Sequence, residues 1–322
     1  MEKASLSNKV LLTLRSILTT LTVGFILFFY SETLFWGRPG RAPLEELVVT
    51  WLVYSVMTYL FLCVVRGFQV QGFASLFLAG ALFGWLGEGV LAQTMYDMLP
   101  INLSWTGLAW HALISVSVGW YRLTIALQQG KVPAILTAAG IGAFWGVWAV
   151  MWWQPSEGGN ITPLPAFAVH AFTQGVLLML AYALFPRLVL PEMFTSRWGQ
   201  GISVTLALLW FVFVAIPQNP LAIGIAPPLF ALTLFALYRS RATQQSPGLL
   251  TTLKPVPLFH YLTVLIMPLC AVGVYSLFLS TNRTYPTNQW VYFLIMPLGF
   301  IAYSLSLYLS FKGTTKTHTR TV

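Results

Sequence analysis

Charge is what this chain has least of. Only 8% of its 322 residues are Asp, Glu, Lys or Arg, and no more than 8 residues are acidic. A water-soluble domain carries about 25% charged residues. Here 57% of the residues are hydrophobic, so the chain cannot cover itself against water, and a bilayer is its solvent. Cysteine is scarce as well. Cys63 and Cys270 lie in apolar runs without a CxxC partner, which excludes a disulfide framework and a cysteine zinc site. No soluble domain has room to form, because the longest connections, 31–46, 187–199 and 239–256, are too short to bury a core of their own.

Several catalytic signatures are missing too. There is no HExxH, no glycine-rich phosphate loop, no kinase set, no GxSxG elbow and no haem-attachment motif. The paired-glutamate motif EExxxR of intramembrane prenyl endopeptidases does not occur. Glu45 and Glu46 are followed by LVVTW, and Glu88 has no acidic neighbour.

Apolar runs fill the space that charge leaves. A helix crossing the hydrocarbon core needs about 20 apolar residues. Such runs lie near 10–33, 47–66, 71–93, 104–127, 132–153, 164–186, 200–217, 219–238, 257–280 and 288–311. Around IPQNP (216–220), 200–238 reads either as two short helices or as one bent one. Pro268 and Pro297 are expected to kink their helices near mid-membrane. The first run follows Lys3 and Lys9 and contains Arg15. No small-x-small cleavage site precedes Glu32, so the run reads as an uncleaved helix. The expected fold is an all-α, polytopic transmembrane helical bundle of about ten helices. It forms a single integral membrane domain over 1–322, divisible into sub-bundles 1–238 and 257–311 joined by the 239–256 loop.

The net charge of +9 invites a nucleic-acid reading, but its placement points elsewhere. With the N-terminus in the cytoplasm, 14 basic residues fall on the inner side, and only Arg38, Arg41 and Arg283 fall outside. That is the positive-inside rule at work, and it puts both termini in the cytoplasm. The expected partners are membrane lipids and not nucleic acid, and the expected location is a plasma or inner membrane. Trp85, Trp105, Trp110, Trp148, Trp152 and Trp153 gather at the outer level, where interfacial anchors are expected.

Three ionisable residues stand in the outer half of that scheme. Glu88 is near the end of the third helix, His111 near the start of the fourth and His170 near the start of the sixth. At 1.5 Å of rise per residue, all three lie roughly 8–10 Å below the interface. Each occupies a row of residues four apart: Gly80, Gly84, Glu88; Gly107, His111, Ser115, Gly119; Ala166, His170, Gln174. Small residues at this spacing mark close-packing helix faces in membranes, so the three are expected to point inward.

An ionisable group inside a membrane costs roughly 2.5–3.5 kcal/mol on insertion scales and marks a functional site by default. Glu88, His111 and His170 are therefore the expected catalytic set. Gln93, Asp97, Trp110, Ser115, Gln174 and Glu32 are substrate-binding candidates, and the 95–105 connection is expected to cap the site. Three chemistries stay open: a divalent metal such as zinc held by Glu88, His111 and His170; metal-free acid–base catalysis; and proton carriage. The favoured function is an intramembrane hydrolase or transferase acting on a lipid-linked or membrane-embedded substrate. A proton-coupled transporter or lipid flippase, and a non-catalytic scaffold or assembly factor, remain alternatives.

Overall fold

The computed structural model describes residues 2–40, 42–190, 192–243 and 248–312, and among them it is helical, with no strand. Arg41, placed on the outer side above, lies outside the described residues, as do Lys316 and Arg320, two of the 14 basic residues counted on the inner side. Among the described residues, 9 helices are long and apolar enough to cross a membrane. They are α1 (Val10–Trp36), α2 (Leu44–Gly67), α3 (Gly72–Leu91), α5 (Lys131–Trp153), α6 (Leu164–Leu188), α7 (Arg197–Gln218), α8 (Ala222–Arg241), α9 (Leu258–Ser280) and α10 (Thr287–Lys312). The chain is thus a multi-pass membrane protein. Two helices, α7 and α8, replace the alternative of one bent segment across 200–238.

The remaining expected span is a helix, but a less apolar one. In α4, Leu103–Leu123 (21 residues) runs on into Thr124–Gln129. His111, Ser115, Ser117 and Arg122 lower its hydropathy. They are tolerated because α4 packs among α1, α3, α5 and α10 and turns little surface to lipid. Around this centre α2 packs on α1, α6 bridges α1 and α9, α9 lies along α5, and α10 lies along α3. The lipid-facing extreme is α7, of whose side chains most are exposed and only Ala215 is buried.

Local sequence explains the punctuation. Gly37 ends α1 in the left-handed conformation (φ 58°), which a residue without Cβ adopts freely. Pro43 precedes α2, whose first turn holds Glu45 and Glu46 at the positive end of the helix dipole. The Ser196 hydroxyl caps α7 by accepting from the Gly199 N–H at 3.2 Å. Pro268 falls where a 3₁₀ stretch, Leu258–Leu265, passes into regular helix, so its missing N–H coincides with a change of winding.

Four segments have the wider π winding: Phe29–Thr33 in α1, Leu86–Leu91 in α3, Leu103–Leu123 in α4 and Phe211–Ala215 in α7. Side chains register the difference. In regular α1 the Ser16 and Thr20 hydroxyls reach carbonyls four residues back. In α4 the Ser115 and Ser117 hydroxyls reach five back, to Trp110 (3.2 Å) and Ala112 (2.7 Å). Such winding inside helices often marks functional sites.

The rows of small residues are contact faces. A Cβ on Gly84 would collide with the Gly107 carbonyl, and one on Gly80 would meet Ala112 at 3.0 Å. Likewise Gly142 of α5 lies against the Met267 carbonyl of α9. Because backbone stands opposite, nothing there can rotate away. Gly142→Val is therefore expected to cost about 1–3 kcal/mol, the usual range for overpacking, and to lower the melting temperature of the purified protein.

The tryptophans differ from their expected role as interfacial anchors. Trp85, Trp110, Trp148, Trp152 and Trp153 are buried. They are buried because most indole N–H groups find partners inside the protein. Trp85 donates to the Leu103 carbonyl (3.1 Å), Trp110 to that of Tyr30 (3.1 Å), Trp148 to that of Phe35, and Trp153 to the Tyr275 hydroxyl (2.9 Å). Trp110 and Trp148 also pack ring on ring, 4.9 Å between centroids.

Candidate functional site

Glu88 and His111 meet. His111 Nε2 lies 2.7 Å from Glu88 Oε1, and the two side chains are only 4% and 16% exposed. The contact follows from the glycine rows: Gly84 against Gly107 brings α3 and α4 close enough for the next turn of each to touch. The second Glu88 oxygen accepts from the Thr94 hydroxyl, and Thr106 also stands within reach of the carboxylate. The two threonines flank the 95–105 connection, and the Thr106 hydroxyl donates to the Asn102 carbonyl (3.0 Å). Asn102 Nδ2 donates to the Thr94 carbonyl (2.9 Å), and the Tyr96 hydroxyl to the Gly89 carbonyl (2.9 Å), folding that connection back over the end of α3. Burial pushes the Tyr96 phenol up to about 12, so it remains a donor at neutral pH.

The other imidazole nitrogen is engaged too. His111 Nδ1 lies 2.9 Å from Ser31 Oγ, and Ser31 Oγ lies 2.9 Å from Ser115 Oγ. Ser31, His111 and Ser115 are buried. Trp110 fixes the register between α1 and α4 by its bond to Tyr30, the residue before Ser31. The result is an unbroken chain, Glu88–His111–Ser31–Ser115, ending on the Trp110 carbonyl. Every link lies on a π-wound segment: Ser31 in Phe29–Thr33, Glu88 in Leu86–Leu91, His111 and Ser115 in Leu103–Leu123.

The proton positions along this chain follow from donor counts. With Glu88 as the carboxylate, both of its oxygens accept, one from the Thr94 hydroxyl and the other from a proton on His111 Nε2. From Nδ1 onward two arrangements satisfy the same heavy atoms. Either Ser31 donates to Nδ1 and Ser115 donates to Ser31, or Nδ1–H donates to Ser31, Ser31 to Ser115, and Ser115 to the Trp110 carbonyl. The first belongs to a neutral imidazole and the second, with one proton more, to an imidazolium; the two hydroxyls rotate to suit either.

His170 is placed elsewhere. Its helix, α6, packs chiefly on α1 and α9, and touches α4 further along, where the Tyr182 hydroxyl lies 2.7 Å from the Gly119 carbonyl. His170 lines a groove between α1, α2 and α6 together with Glu32, Gln174 and Arg38. Among the described residues no group of three His, Cys, Asp or Glu side chains is disposed to hold a metal ion. Of the other sequence candidates, Ser115 and Trp110 belong to the chain or its support, and Glu32 and Gln174 belong to the groove. Gln93 is buried at the end of α3 with a left-handed backbone (φ 65°), whereas Asp97 is exposed.

Three participants were not singled out from sequence: Ser31, Thr94 and Tyr54. The Tyr54 hydroxyl donates to Glu32 Oε1 at 3.0 Å, and its ring centroid lies 6.2 Å from that of His111. Ser31 and Glu88 are both near enough to act on its phenol. Tyr54 thus stands between the chain and the groove. No protein-family model, no curated protein and no solved structure matches the chain.

Proposed function

We propose that this protein is a membrane-embedded acid–base enzyme, a hydrolase or transferase, acting on a lipid-linked or membrane-embedded substrate. Glu88 and His111 exchange protons with the substrate, and Ser31 and Ser115 hold the imidazole in place. The observation that carries this reading is the Glu88–His111–Ser31–Ser115 chain, whose hydroxyls can partner the imidazole in either charge state and which is built on π-wound segments of three helices. A structural lock between α3 and α4 needs only the Glu88–His111 contact. It has no use for a second, buried link to α1.

One observation favours a second reading, proton-coupled transport: another carboxylate, Glu32, lies on the far side of Tyr54. One preparation tests both. Wild-type protein in sealed liposomes made from its own host's lipids is expected to convert a lipid species, followed by mass spectrometry, and Glu88→Gln is expected to abolish conversion. Unchanged lipids together with proton flux in a pH-dye assay would replace the enzyme by a transporter. Unchanged lipids without flux would leave a scaffold.

The sidedness of the site is part of the proposal. The excess of basic residues at the ends holding Arg66, Arg122, Arg187 and Arg239 supports a cytoplasmic N-terminus, with Glu88 and His111 near the outer face. In a Cys63→Ser, Cys270→Ser background, Asp97→Cys should react with an impermeant maleimide on intact cells, and Gln129→Cys only after permeabilisation. The reverse pattern would invert the topology.

A further inference from the structure

We propose that the groove between α1, α2 and α6 holds one membrane amphiphile with an uncharged, hydrogen-bonding headgroup, and that Glu32 is the side chain that meets that head. This deepens the acid–base reading and rests on it for the chemistry, though not for the binding. The groove measures about 560 Å³, inside the range of roughly 300–1,000 Å³ typical of small-molecule sites. Its walls are membrane-spanning helices, so the molecules that reach it laterally are those dissolved in the bilayer.

The groove is chemically polarised along its length. One end is walled by Leu18, Leu21, Leu177 and Leu180, and the other by Glu32, Arg38, His170 and Gln174. Between Leu18 and Glu32, α1 covers about 21 Å at 1.5 Å per residue. Half of a hydrocarbon core is about 15 Å. A complete lipid chain therefore fits beside α1, with its head at the Glu32 end.

The headgroup class follows from the polar end. Glu32 and Arg38 carry opposite charges, so an anionic head would face the carboxylate and a cationic one the guanidinium. Arg38 is held in place over the Trp152 ring, 4.7 Å from its centroid. His170 Nε2 is buried with no hydrogen-bond partner among the described residues. His170 and Gln174 line this end as side chains that can both donate and accept hydrogen bonds. A polyol head fits these demands.

Glu32 is also the groove's link to the proton chain. Tyr54 donates to one of its oxygens (3.0 Å) and Trp36 Nε1 to the other (3.1 Å), which fixes the carboxylate beside the groove. Tyr54 is a positioning residue: it touches Glu32 and lies beside His111, Ser31 and Glu88, and it does not line the groove.

The test measures binding and needs no turnover. Full-length protein is reconstituted in phosphatidylcholine vesicles with a monoacylglycerol carrying a diazirine in its chain, or with a phosphatidic acid carrying the same tag. The monoacylglycerol should crosslink saturably to peptides containing Leu18–Phe28 and His170–Leu184. It should also slow modification of Glu32 by dicyclohexylcarbodiimide about tenfold, and His170→Leu should weaken that protection about tenfold, the change that 1.4 kcal/mol produces. Leu180→Trp, which fills the apolar end, should remove the crosslinks; should it misfold, His170→Leu still decides. Crosslinks spread evenly over the lipid-facing helices, or equal protection by phosphatidic acid, would overturn the proposal. Saturable binding without lipid conversion would keep the groove and remove the enzyme.

Discussion

His111→Ala is expected to destabilise the protein by about 3–5 kcal/mol, the cost of removing one partner of a buried ion pair or charge-assisted hydrogen bond. Glu88 would keep the Thr94 hydroxyl but lose its only imidazole donor, in a side chain that is 16% exposed. Ser31 would lose its imidazole partner inside the core at the same time. The double variant Glu88→Leu, His111→Leu should recover much of the loss, because two apolar side chains leave no buried charge to compensate. Melting temperatures of wild type, single and double variants, measured in one detergent, form the comparison. A His111→Ala protein as stable as wild type would mean that Glu88 does not depend on the histidine.

Glu88→Gln should do the opposite: leave the fold and remove the chemistry. The glutamine carbonyl oxygen can still accept from His111 Nε2, and its amide N–H can donate to the Thr94 hydroxyl. What it cannot do is take up a proton. If Glu88 merely locks α3 to α4, the variant should retain full activity. If Glu88 is the acid–base group, lipid conversion should fall by about 10²–10⁴, the usual contribution of general acid–base catalysis. Initial rates in liposomes, read beside an unchanged melting temperature, separate the two.

The pairing of Glu88 with His111 was legible because two cues agree. Both residues sit at one depth, and both lie on glycine rows whose only use is close helix contact. Depth alone misled for His170. Rise per residue gives height in the membrane but not which helix stands next to which, and α6 turned out to face the groove of α1 and α2. Ser31 and Tyr54 carried no signal, since hydroxyl residues are ordinary in such helices. Their partners are remote in sequence too, with His111 80 positions beyond Ser31.

The fold itself was easier to read. Hydrophobic length located the nine apolar spans, and it also placed the helix α4, whose lower hydropathy accompanies burial among other helices. It was less good at distinguishing tryptophans that face lipid from those that pack inside. Burial of an indole is helped by a carbonyl for its N–H, and Tyr30, Phe35 and Leu103 supply such carbonyls to Trp110, Trp148 and Trp85 from other parts of the chain.

The most direct measurement is the ¹⁵N spectrum of His111 in membranes, assigned by difference against His111→Ala. The hydrogen-bonded chain predicts an Nε2 that carries a proton, with an Nδ1 resonance that moves in Ser31→Ala and an Nε2 resonance that moves in Glu88→Gln. An imidazole with a bare Nε2, or one indifferent to both substitutions, would contradict it.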